Sequence, residues 1–133
     1  LANNVRVVYV EATPDDTESR LLQRLRKACP ELQDLPLRDA LAQLRRNERK
    51  QPKVIIFLDQ FEQWLFGKQN RHNAELIQAL RQCDGSRVQC IVLVRDDFWL
   101  AVSRFMQELD CELLKAKTPG WSIFSTNVTL AKY

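Results

Sequence analysis

Glycine is nearly absent from the 133-residue sequence, with Gly67, Gly85 and Gly120 the only three. They stand 18 and 35 positions apart. No two of them can build a G-x-x-x-x-G-K-[ST] loop or a G-x-G-x-x-G turn, which bring backbone N–H groups against phosphates. Histidine is rarer still: His72, in a polar stretch, is the single one. Ser-His-Asp catalysis and histidine-rich metal sites therefore find little support. The four cysteines, Cys29, Cys83, Cys90 and Cys111, show no C-x-x-C spacing. A domain of this length needs no disulfide staples, so reduced thiols and a cytoplasmic location are expected. No apolar run reaches the roughly 18 residues that span a bilayer, and no basic-then-apolar leader opens the chain. Leu1 rather than Met comes first, as expected of a piece cut from something longer.

Charge of one sign is also lacking. Twenty basic and seventeen acidic side chains leave a net +3, far from the basicity of a dedicated nucleic-acid binder. The surplus lies in residues 1–53, much of it in Arg45, Arg46, Arg49, Lys50 and Lys53. Cations suit a helix C-terminus, so this cluster reads as a solvated helix end and no nucleic-acid partner is expected.

What the chain does contain is 45% apolar residues, enough for one globular core. Val5–Val10 is a β-branched run that reads as a buried strand. Thr13, Asp16 or Thr17 can cap a helix with Leu21, Leu22, Leu25 and Ala28 at helical spacing, stopped by Pro30. A second helix follows Pro36, with Leu37, Ala40, Leu41 and Leu44 on one face. Val54–Leu58 is the most apolar run, and its lack of alternation predicts a central parallel strand covered on both faces. Phe61, Trp64 and Leu65 predict a short helix ended by Gly67. After a polar loop over 69–73, Leu76, Ile77, Leu80 and Cys83 predict another helix, closed by an Asp84-Gly85 turn. Val88–Val94 reads as a third strand. Phe98, Val102, Phe105, Leu109 and Leu113 predict the longest helix, with Asp96 and Asp97 as its cap. Alternating strands and helices imply an α/β fold, a three-layer sandwich with a parallel sheet and strands near 5–10, 54–58 and 88–94. Ligands of such sheets sit beyond the carboxyl ends of the strands, where Glu11, Asp59 and Arg95 fall.

Three residues there carry candidate chemistry. An apolar strand running into Asp59 suits a carboxylate that holds Mg²⁺ through water, although a strand-terminal Asp equally caps a helix. Glu62 falls in the first turn that follows, where it can polarise a water or simply complement the helix dipole. Arg95 ends the third strand as a fixed cation, suited to sensing a γ-phosphate or to an ion pair with Asp96, Asp97 or Asp59. The aromatic residues Phe61, Trp64, Phe98, Trp99 and Phe105 read as core or interface.

VIIFLDQFEQWLF (Val54–Phe66), followed by IVLVRDDFW (Ile91–Trp99), resembles the signalling P-loop NTPases of the bacterial novel STAND group. VRVVYVEATPDDTESRLLQRLRK (Val5–Lys27) looks like the strand and helix that come after the P-loop helix in those proteins. The resemblance implies a partial P-loop NTPase core over residues 1–117, with 118–133 an unassigned tail. It implies ATP and Mg as cofactors of the intact protein, neither bound tightly by this chain alone. By that resemblance Asp59 is the Walker B acid on Mg²⁺, Glu62 the second acid and Arg95 the sensor. Gln60 stands where many related ATPases carry a catalytic Glu, which implies slow hydrolysis. The family's first strand and Walker A loop are expected upstream of Leu1. That strand would pack beside Val88–Val94, leaving an apolar edge exposed in its absence. The implied role is an ATP-dependent regulatory switch in a larger signalling protein, with Ser/Thr kinase, WD-repeat or formylglycine-generating-enzyme-like domains as companions. Other domains of the same polypeptide and protein partners are expected, with oligomerisation open. The alternative is a non-catalytic protein-interaction module on a degenerate NTPase scaffold.

Overall fold

The structure, a computed structural model, describes residues 5–46, 52–67, 75–108, 113–114, 121–124 and 128–132. Strand β1 (Val5–Glu11) leads to helix α1 (Thr17–Ala28), and a 3₁₀ turn at Pro30–Leu32 leads to α2 (Leu37–Arg46). Strand β2 (Lys53–Asp59) precedes the short helices α3 (Glu62–Gly67) and α4 (Glu75–Leu80). Then come β3 (Val88–Val94), a 3₁₀ turn at Asp96–Phe98, and α5 (Trp99–Glu108). Strands β4 (Leu113–Leu114), β5 (Trp121–Phe124) and β6 (Val128–Lys132) complete the described elements. His72, Arg49, Lys50 and Cys111 lie outside the described residues, as does Leu109 of the predicted long helix.

The architecture is α/β. Six strands form one sheet in the order β1-β2-β3-β6-β5-β4, the first four of them parallel and the pairs β6–β5 and β5–β4 antiparallel. Each parallel connection steps the same way across the sheet, from β1 to β2 to β3 to β6. Right-handed crossovers then put all three on one face, and burial agrees. Val8, Val10, Val54, Ile56, Leu58, Cys90 and Val92 are sealed in one cluster with Leu21 and Leu25 of α1, Leu41 of α2, Ile77 of α4 and Val102 of α5. Each fully buried Leu or Ile of that cluster contributes about 1.5–3 kcal/mol of apolar transfer.

The opposite face is graded. Thr129 and Ala131 on β6 are buried, Ile55, Phe57, Ile91 and Leu93 half-buried, while Val7 and Tyr9 on β1 are 60% and 46% exposed. Burial along β2 therefore alternates, although its sequence does not.

The edge of β3 is not exposed, contrary to expectation, because β6 lies along it in parallel from Cys90↔Val128 to Val94↔Lys132. The VTLAK segment is β-branched and apolar enough to seal both faces there. The long helix also falls short of its predicted span. Leu113 belongs to strand β4 and not to this helix. Helix α4 ends at Leu80, and Cys83 is buried in the turn beyond it. Burial pushes the Cys83 thiol up to about 12 and raises Cys90 well above its ordinary value, so both stay protonated and inert. Asp84 builds the next turn, its Oδ1 accepting the N–H groups of Ser86, Arg87 and Val88 at 2.9, 2.8 and 3.0 Å, with Gly85 at φ 77°. No described helix is long and apolar enough to cross a membrane.

Candidate functional site

The carboxyl ends of β1, β2 and β3 line up on one edge of the sheet, with Glu11 directly across from Asp59 in register. The β2 chain leaves the sheet through Gln60, which takes a left-handed φ of 53°, a conformation that costs a non-glycine residue about 1 kcal/mol or more. Local bonds hold it there. The Gln60 N–H donates to Asp59 Oδ1 at 2.8 Å, and its side-chain Nε2 donates to Glu11 Oε1 at 3.2 Å. The Tyr9 hydroxyl donates to Asp59 Oδ2. That bond is the first cause of a Tyr9 pKa raised above its ordinary 10.0.

Backbone bonds tie these ends into one platform. Ala12 N–H reaches the Asp59 carbonyl at 2.8 Å, and Phe61 N–H reaches the Leu93 carbonyl at 3.0 Å. Phe61 and Trp64 are fully buried and stacked, centroids 5.3 Å apart, and Trp64 Nε1 donates to Glu18 Oε2 at 3.1 Å. A side chain at Gly67 would put its Cβ 2.5 Å from Pro14 Cα, so only glycine lets α3 close against the loop after β1.

Glu62 is 2% exposed, one of the few buried polar side chains described. Its Oε1 accepts the Arg95 backbone N–H at a long 3.4 Å, which joins α3 to the end of β3. The Arg95 guanidinium turns outward. It pairs with Asp97 at 3.5 Å, both side chains more than half exposed, and lies 5.8 Å from the Phe98 ring centroid. Asp97 thus serves as an ion-pair partner of Arg95, and Arg95 itself is the N-cap residue of the 3₁₀ turn that precedes α5.

The structure accordingly brings Asp59 together with Tyr9, Glu11 and Gln60, and Glu62 together with the Arg95 backbone. It does not pair the Arg95 side chain with Asp59. Tyr9 is the residue that sequence reasoning missed. Its signal was parity: two positions before the end of β1, it shares a sheet face with Asp59 through the register Tyr9↔Phe57.

Magnesium takes hard oxygen donors, usually one or two carboxylates with phosphate oxygens and water completing an octahedron. Asp59 and Glu11 are donors of that kind. Among the described residues, no group of three or more His, Cys, Asp or Glu side chains is placed to hold a metal. The set therefore fits an ion shared with phosphate rather than a self-contained metal cage.

A sequence model of the family described as novel STAND NTPase 1 matches residues 2–119. The chain belongs to that family. The match takes in the whole platform of this STAND NTPase domain, from Tyr9 to Arg95, and leaves β5 and β6 beyond its end. Among the curated proteins and among the solved structures, nothing matches this domain.

Proposed function

We propose that this domain supplies the metal and sensor side of an ATP-dependent regulatory switch within a larger signalling protein. The observation that carries the reading is the meeting of Asp59, Glu62 and Arg95 at one sheet edge inside a chain of the STAND NTPase family. Asp59, with Glu11 beside it, would hold Mg²⁺ through water. That ion would supply charge neutralisation at the β- and γ-phosphates. Glu62 would order the Arg95 backbone, and the exposed Arg95 guanidinium would swing from Asp97 to a γ-phosphate, a modest rearrangement because an exposed ion pair is worth only about 0–1 kcal/mol. The Gln60 side-chain Nε2 donates to Glu11, and a glutamine lacks the carboxylate that would serve as a general base. Turnover by such a site is slow, as suits a switch whose readout is conformation.

The phosphate cradle is not encoded among the three glycines. Calorimetric titration of Mg-ATP into the 133-residue chain should therefore show no binding in the micromolar range. The same titration should show it once the chain is joined to a G-x-x-x-x-G-K-[ST] strand-loop-helix. Micromolar binding by the chain alone, or none by the joined protein, would sink the reading.

A further inference from the structure

We infer that the outer edge of β1 is a strand-addition site for an extended, acidic segment of a protein partner. The inference rests on the edge itself and not on the nucleotide reading.

Among the described residues, strand β1 ends the sheet and pairs only with β2. Its backbone parity follows from two bonds. Ala12 donates inward to the Asp59 carbonyl, while the Tyr9 carbonyl is reached from outside by Arg24 Nη1 at 3.0 Å. Even-numbered residues thus address β2, and Val5, Val7 and Tyr9 direct their N–H and C=O groups outward. Edge strands are normally blunted by proline, bulges or short length. β1 runs seven residues without proline, and its outward residues Val5, Val7 and Tyr9 also carry exposed apolar side chains. Arg24 covers one carbonyl of this edge.

Helix α1 runs beside the edge and leaves a cleft of about 680 Å³ lined by Val7, Tyr9, Gln23, Arg24 and Lys27. Among the described residues neither Arg24 nor Lys27 has a carboxylate partner, whereas Arg6 and Arg20 are paired with Glu31 and Asp16. A strand added here would alternate, one side extending the apolar face of Val7 and Tyr9, the other facing the α1 cations. An alternating apolar and acidic sequence satisfies both, with main-chain bonds supplying affinity and side chains supplying selection. Charge argues against a second copy of this chain, because β1-to-β1 pairing would draw two sets of Arg24 and Lys27 together.

A fluorescent peptide of alternating valine and glutamate, about ten residues long, tests the site against its valine–lysine counterpart by anisotropy. The acidic peptide should bind and the basic one should not. Val7→Pro removes an outward N–H without breaking a bond to β2, and should weaken binding about fivefold or more. Arg24→Glu with Lys27→Glu, on the surface of α1, should abolish binding of the acidic peptide and confer binding of the basic one. The double variant decides the matter should Val7→Pro unfold by circular dichroism. Equal binding of the two peptides, affinity unchanged by the double variant, or a concentration-dependent dimer that excludes the peptide would overturn the inference.

Discussion

Asp59 accepts hydrogen bonds at both carboxylate oxygens, one from its successor's backbone and one from a tyrosine on the neighbouring strand. The tyrosine therefore reports on the acid. Its pKa is raised because the un-ionised hydroxyl donates to Asp59, with burial and the charges of Asp59 and Glu11 acting in the same direction. A proton held more tightly in the folded state supports folding fully below the unfolded value of 10.0, and that support is lost as pH climbs through the folded value. In a Tyr133→Phe background, the tyrosinate absorbance of Tyr9 should appear above pH 10.0. Asp59→Asn should bring it back toward the ordinary range. A Tyr9 that titrates identically in both proteins would mean that the contact is absent in solution. Asp59 was legible in the sequence because a dry strand ending in one acid is a local pattern. Tyr9 was not, because its role depends on the register between strands 50 positions apart.

The short helix α3 owes its place to packing at both ends. Phe61 and Trp64 anchor it in the core, and Gly67 closes it against Pro14 with no room for a side chain. Gly67→Ala forces a methyl group into backbone rather than into a flexible neighbour, and should cost about 1–3 kcal/mol by chemical denaturation. A loss no larger than that of an ordinary surface substitution would show that the loop after β1 yields freely. Elements with their own periodicity, such as α2 with Leu37, Ala40, Leu41 and Leu44, could be read directly. The end of α5 could not, because Leu109 and Leu113 continue a helical spacing that pairing of Leu113 with Phe124 overrides. The alternating burial of β2 was equally hidden. Val54–Leu58 is apolar on both faces, and only its neighbours decide which face is sealed.

The parallel order β1-β2-β3-β6 sets the whole molecule. Its crossovers share one direction, so the described helices crowd one face, and the carboxyl ends of β1, β2, β3 and β6 point to the edge that holds Asp59, Glu62 and Arg95. The α/β class and the location of that edge were readable from alternating apolar runs. The position of β6 was not, since VTLAK has no pattern of its own and acquires a place only through pairing with β3. Membership in the STAND NTPase family and the grouping of these three residues lead to one central claim, that Asp59 serves a magnesium-dependent nucleotide switch. The direct measurement is ATP turnover by a polypeptide that joins this chain to a G-x-x-x-x-G-K-[ST] segment, with and without Asp59→Ala. The substitution should lower magnesium-dependent turnover about a hundredfold while leaving ATP affinity within about threefold. Turnover equal to that of the unsubstituted protein would contradict the claim.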